Sequence, residues 1–265
     1  MEALAKARRA LGAARNPDGS LGHLPGQPGH LEPTLLSCAA GLAPPLAWLR
    51  AQPWGWGALL LPACLANHAD AADITGDTIE QMLARQGEPT EDPDGMLGFD
   101  PTLTAWPWVD RTAPWVEPTA YAVLSLKRAG RGAHPRVAQG EALLRDRQCS
   151  DGGWNYGNPA VLGAELESYL PPTGWAVLAL PGGAVAERGL DRLLAATTQR
   201  STMTLSLALL AHTRHGRDAP EALVSALLAR QRGDGSFGGR CDWTALATCA
   251  IAAVAGEPHP FEVTA

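Results

Sequence analysis

Gly140-Glu141-Ala142-Leu143-Leu144-Arg145-Asp146-Arg147-Gln148-Cys149-Ser150-Asp151-Gly152-Gly153-Trp154 is the stretch that decides the fold. Its first half has the charged and apolar positions of a one-sided helix, so it should turn a polar face to water. Asp151-Gly152 ends that helix in a turn, because glycine accepts positive φ at no steric cost. After a loop, Pro171-Pro172-Thr173-Gly174-Trp175-Ala176-Val177-Leu178-Ala179-Leu180 opens a second helix. Proline is well placed in that first turn, where its missing N–H has no helical acceptor. This second helix is almost uncharged and should be buried.

The same unit recurs along the chain, and a fixed repeat outweighs any local secondary-structure signal. Leu227-Leu228-Ala229-Arg230-Gln231 leads to Asp234-Gly235-Ser236-Phe237-Gly238 and then to Asp242-Trp243-Thr244-Ala245-Leu246. Met82-Leu83-Ala84-Arg85-Gln86 leads to Asp94-Gly95-Met96-Leu97-Gly98 and then to Glu117-Pro118-Thr119-Ala120-Tyr121. Asn16-Pro17-Asp18-Gly19-Ser20-Leu21-Gly22 leads to Glu32-Pro33-Thr34-Leu35-Leu36. Weaker copies lie around Gln52 and Trp56 and around Gln199 and Thr204. About six helical hairpins follow, each near the ~40 residues usual for helix-pair repeats. The last hairpin ends in apolar Ile251-Ala252-Ala253-Val254 with no polar cap, so the expectation is all-α and closed. That makes residues 1–265 one α/α toroid, with charged helices outside and apolar helices inside.

Composition agrees with a large core. Hydrophobic residues are 46% and charged residues 18%, with a net charge of −6 and no lysine or arginine cluster, which argues against a nucleic-acid partner. The N-terminal residues carry charges throughout and do not read as a signal peptide. The longest uncharged stretch, 51–67, is broken by Pro53, Gly55, Gly57 and Pro62, so no membrane span is expected. Cys38, Cys64, Cys149, Cys241 and Cys249 have no paired spacing and read as reduced thiols of a cytoplasmic protein.

The unit ending in Gln148 and Trp154 resembles the QW repeat of squalene-hopene cyclases and related terpene cyclases. The Asp-Gly-x-Phe-Gly turn resembles the repeats of protein prenyltransferase β-subunits. The resemblance implies a terpene cyclase-like toroid and an apolar, isoprenoid-like small-molecule ligand. In class II cyclases an Asp-x-Asp-Asp-Thr-Ala motif opens an inner helix, and its central Asp donates the initiating proton. The matching stretch is Trp115-Val116-Glu117-Pro118-Thr119-Ala120: Glu117 stands at the acid, while Trp115 and Pro118 replace its flanking acids. The zinc pattern of the prenyltransferases is missing, with Ala245 in place of its histidine and no Asp-x-Cys pair. No metal and no cofactor is therefore expected.

Two readings of Glu117 stand side by side. As a catalytic acid it initiates cyclisation with help from Asp110 or Glu165. As a helix-start residue, like Glu32 in the same Glu-Pro-Thr context, it is an anion held by the N-terminal dipole, with a lowered pKa. The starts of the second helices and the loops before them, 22–31, 88–116 and 155–170, should gather at one end of the ring. There Trp56, Trp106, Trp108, Trp115, Glu32, Tyr121 and Asp242 are candidate ligand contacts, and Arg111 a candidate partner for a diphosphate. A ring that binds an apolar ligand or a peptide without turning it over is the alternative function. Neither the substrate nor the oligomeric state can be read from the sequence.

Overall fold

The computed structural model describes residues 2–53, 55–92, 94–199 and 201–263, the side chains of Trp56 and Gln199 lying outside that description. The helices are α1 (Glu2–Ala13), α2 (Leu31–Ala39), α3 (Leu46–Arg50), α4 (Leu61–Leu65), α5 (Ala72–Ala84), α6 (Val116–Arg128) and α7 (Pro135–Asp146). They continue with α8 (Leu170–Ala179), α9 (Ala184–Leu193), α10 (Ala196–Gln199), α11 (Thr202–Arg214), α12 (Glu221–Leu228) and α13 (Cys241–Val254). A 3-10 turn over Trp56–Leu60 runs into α4, and the two together form one interrupted helix. The protein is thus almost all helical, with a two-residue hairpin, β1 (Ala160–Val161) and β2 (Ala164–Glu165), as its named strands.

Among the described residues all the helices but the short α10 fall into six pairs, and the contacts of the second helices run in a closed circuit. The second helices touch in the order α2, α4, α6, α8, α11, α13 and back to α2. Five of the six first helices lie against the second helix of the preceding pair: α5 on α4, α7 on α6, α9 on α8, α12 on α11, and α1 on α13. That last contact joins the chain's two ends. Gln231 Nε2 donates to the Ala3 carbonyl at 2.8 Å, and Arg8 Nη2 pairs with Glu257 at 2.6 Å. No helix among the described residues is long and apolar enough to cross a membrane.

One small device fixes four of the six pairs. A threonine in the first turn of the second helix accepts the backbone N–H of the residue that closes the preceding turn. Thr34 takes it from Leu21 at 2.9 Å, Thr119 from Trp106 at 3.3 Å, Thr173 from Trp154 at 2.9 Å and Thr244 from Phe237 at 2.9 Å. All four threonines are buried, so this hydroxyl satisfies donors that water cannot reach. The repeat glutamine holds the turn from the other side: Gln148 Nε2 donates to the carbonyls of Gly152 and Val185, both at 2.8 Å. Thr173→Val keeps the shape and deletes the acceptor. It should lower stability by about 1–3 kcal/mol, the cost of an orphaned buried donor. Urea denaturation should show a lower midpoint with an unchanged m-value.

The same register explains two tryptophans. Trp154 Nε1 donates to the Leu144 carbonyl at 2.6 Å, and the ring lies on Gly189, where an added Cβ would come within 2.8 Å of it. Trp106 repeats this, with Nε1 donating to the Met82 carbonyl at 2.8 Å and the ring 2.9 Å from a Cβ placed on Gly140. Met82 stands four residues before Gln86 as Leu144 stands four before Gln148. Trp106 therefore holds in its pair the place that Trp154 holds in its own, and is 1% exposed. The indole closes the gap between two helices, a scaffold position for a residue expected as a ligand contact.

Candidate functional site

Two long loops clasp each other at one end of the circuit. Gly98 N donates to the Ala160 carbonyl at 3.0 Å, Leu162 N to Met96 at 2.8 Å, and Val116 N to Tyr156 at 3.1 Å. The last bond ties the start of α6 to the loop after Trp154. It also brings Tyr156 and Tyr169, rings 5.5 Å apart, to Trp115. These three aromatics and Glu165 line a cavity of about 480 Å³. That volume lies within the roughly 300–1,000 Å³ of small-molecule sites.

Glu117 is the second residue of α6, two positions after the cavity residue Trp115, and is half-buried. Burial pushes its carboxyl up to about 7, and the charge of Glu32 adds to the rise. Its reach into the cavity wall shows in Tyr156, which burial first and the charge of Glu117 second hold above the ordinary phenol value. Among the described residues Glu117 has no hydrogen-bond partner and no counter-ion, and its carboxylate caps no backbone N–H of α6. The helix dipole opposes the rise but is worth only about 0.3–1 kcal/mol. Moving a carboxyl from its ordinary 4.5 to about 7 corresponds to roughly 3 kcal/mol, so burial wins. Glu32 is likewise no cap. Burial, then the charge of Asp242, raise its pKa, and His23 and Arg240 offset part of this. The expectation of lowered pKa values at these helix starts is overturned for both residues.

One turn below Glu117, Tyr121 sets its ring edge-on to Trp108 at 5.9 Å and to Trp175 at 4.8 Å. Trp175 in turn meets Phe261 at 5.7 Å. Burial, then Glu117 and Glu32, hold the Tyr121 phenol well above its ordinary value. Four aromatic residues thus form a continuous wall below two carboxyl groups. Trp175 and Phe261 escaped the sequence reading. Trp175 was legible in principle, because it follows Thr173 by two residues as Tyr121 follows Thr119.

The remaining candidates separate. Asp110 is exposed and pairs with Arg85 at 2.9 Å, and Glu165 is exposed and accepts the Ser150 hydroxyl at 2.5 Å. Neither acts on Glu117, whose charged neighbour is Glu32. Each is held by its own loop partner, Arg85 or Ser150, and neither is brought to Glu117 by an ion pair or hydrogen bond among the described residues. Arg111 is exposed in a left-handed turn at φ 62°. Trp115 is 37% exposed at the cavity rim. Asp242 is buried, takes Nη2 of Arg240 at 2.6 Å, and lies 3.3 Å from His23 Nδ1. The Trp56 side chain lies outside the described residues.

No family model matches the chain, and no curated protein matches its sequence. Among solved structures, a variant of the type II terpene cyclase MstE from Scytonema, in complex with geranylgeranyl dihydroxybenzoate, is 14% identical. That match covers 96% of this chain and 97% of that one at a TM-score of 0.43. A second MstE variant, bound to merosterolic acid A, gives 14% identity, 96% of both chains and the same TM-score of 0.43. The unliganded enzyme gives 16% identity over 89% of this chain and 80% of that one, at 0.35. At these values the chemistry rests on the residues of this chain alone.

Proposed function

We propose that the chain is a single α/α toroid working as a terpene cyclase-like enzyme, with Glu117 as the proton donor. The observation that carries this is a half-buried carboxyl with no basic partner, raised to about 7 by burial, on the helix that carries Trp115 at its start and Tyr121 one turn on. An apolar polyene enters past Trp115, Tyr156 and Tyr169 and lays its reacting end against Glu117. The Glu117 O–H bond breaks, its proton forms a bond to the substrate, and the electron pair stays on the carboxylate. The carbocation so formed is attacked by the next double bond, and the faces of Tyr121, Trp108 and Trp175 stabilise the migrating charge. Loss of a C–H proton to water ends the sequence, and solvent reprotonates Glu117. A carboxyl titrating near 7 is a mild acid, so it fits a basic acceptor, such as an epoxide oxygen, better than an unactivated alkene. Glu32, reaching in from a different helix pair, supplies the second carboxyl that Trp115 and Pro118 fail to provide.

A second reading, a ring that binds an apolar ligand without turning it over, draws on the exposure of the cavity aromatics. Tyr156 is 45% and Tyr169 52% exposed, as at a binding rim. One incubation separates the two. Purified protein is offered linear prenyl diphosphates, squalene-like polyenes and their terminal epoxides, and products are resolved by mass and retention beside Glu117→Gln. A cyclised isomer absent with the variant supports the acid. Turnover retained in the variant overturns it, and binding without turnover favours the rim.

A further inference from the structure

We propose that His23, His30 and Glu32 form a site for a divalent transition metal of the zinc class, with Asp242 orienting His23 from behind. One ligand atom from each of the three residues lies within 4.8 Å of the others. A tetrahedral metal about 2.0–2.1 Å from each would draw them to about 3.3 Å, a movement within reach of side-chain rotation. The two imidazole rings already lie with centroids 4.5 Å apart, tilted by 43° to each other.

The backbone builds this cluster. His30 N donates to the Leu21 carbonyl at 2.9 Å, closing the loop that carries both histidines. At Gly22 that loop doubles back so tightly that a Cβ would sit 2.8 Å from the carbonyl oxygens of Gln27 and Pro28. Cys241 N donates to the His23 carbonyl at 2.9 Å and pins the loop to the start of α13. Glu32, in the first turn of α2, completes the set.

Behind His23 stands the partner that metal-binding imidazoles usually have. Asp242 Oδ2 lies 3.3 Å from His23 Nδ1 and is itself held by Arg240 through Nε at 3.0 Å and Nη2 at 2.6 Å. Arg240 Nη2 is also 3.3 Å from that imidazole nitrogen, but its short bond is to Asp242. An Nδ1–H aimed at the carboxylate fixes the tautomer and leaves the Nε2 lone pair for a metal. The rings of His30 and the carboxyl of Glu32 have no hydrogen bond among the described residues, so nothing there competes with a cation.

Two imidazoles and one carboxylate select a borderline metal such as Zn²⁺ over Mg²⁺ or Ca²⁺, which prefer oxygen donors throughout. Three protein ligands leave a fourth position for water or an anionic group. His30 is exposed and His23 half-buried, so that position opens to solvent. The site shares Glu32 with the acid reading but takes no donor from Glu117, and its test reads metal binding rather than turnover.

The test is Zn²⁺ titration of the chelator-stripped full chain against a chromophoric competitor. One equivalent should bind. His30→Ala and His23→Ala should each weaken binding by more than the ~10–100-fold expected for Asp242→Asn, which removes only the outer partner. His68→Ala, on the loop after α4, should leave it unchanged. His30 is exposed, so its variant should keep the parent circular dichroism. The Co²⁺ form should show ligand-field bands without thiolate charge transfer. Absence of stoichiometric binding, full affinity in His30→Ala, or a thiolate band from Cys241 would each overturn the site.

Discussion

Glu117→Gln is expected to abolish turnover by about 10²–10⁴-fold, the range for loss of a general acid, while making the protein more stable at alkaline pH. The two effects have one origin. Glu117 titrates at about 7 when folded and near its ordinary 4.5 when unfolded. The folded state therefore binds the extra proton between these values. Below 4.5 both states are protonated and the buried carboxyl costs nothing. As pH rises through 4.5 to about 7 the unfolded state ionises first, and stability falls by about 3 kcal/mol in total. Glutamine cannot ionise, so the variant should match the parent at pH 4–5. It should melt roughly 6 °C higher at pH 8–9. The groups facing Glu117 are Glu32, Tyr121 and Tyr156, and none of them supplies a positive charge that would restore its ordinary pKa. For the same reason the activity of the parent should be flat below about pH 7 and fall above it. Melting curves at pH 5 and 8.5, set beside a pH–rate profile, check the pair. A variant less stable than the parent at pH 8.5 would mean that Glu117 is a satisfied anion.

How far the sequence foretold this differs by feature, and the physical reason differs too. Helix pairs were legible because Gln, Asp-Gly and Pro-Thr act through neighbours a few residues away. The register of Trp106 is hidden because the repeat is stretched: six residues separate Gln148 from Trp154 and Gln231 from Phe237, whereas twenty separate Gln86 from Trp106. The intervening Asp94-Gly95 looked like the equivalent turn and is not. Glu117 and Glu32 share the Glu-Pro-Thr context of a capping device, and only the packing of distant loops decides that their carboxyls are buried instead. Asp110 and Glu165 were placed by sequence proximity to the helix starts. The clasp between residues 96–98 and 160–162 sets their loops, and pairing of that kind leaves no local pattern. His23 and His30 are seven residues apart, a spacing that would align them on a helix, but Pro25, Gly26, Pro28 and Gly29 between them rule a helix out, so only the folded loop brings them together.

Trp106→Ala should be as damaging as Trp154→Ala, and the comparison decides whether Trp106 belongs to the scaffold or to the ligand. Both side chains are essentially inaccessible, at 1% and 0%, and each indole N–H meets a helix carbonyl. Truncating either leaves a cavity that its neighbours cannot fill, because the facing surface is the backbone of Gly140 or Gly189, held by its own helix. Large-to-small changes of this kind cost about 3–5 kcal/mol. Trp106→Ala also strips the ring from beneath the Arg136 guanidinium, 4.4 Å from its centroid, and leaves that half-buried charge without its platform. Against a typical total of 5–15 kcal/mol, either loss should lower the melting temperature by roughly 10 °C. Trp115→Ala is the control: at the exposed rim it should move stability by no more than about 0.5 kcal/mol while weakening ligand binding. A Trp106→Ala protein with the parent's melting temperature and impaired binding would return that residue to the site and break the register on which the four threonines and two glycines agree.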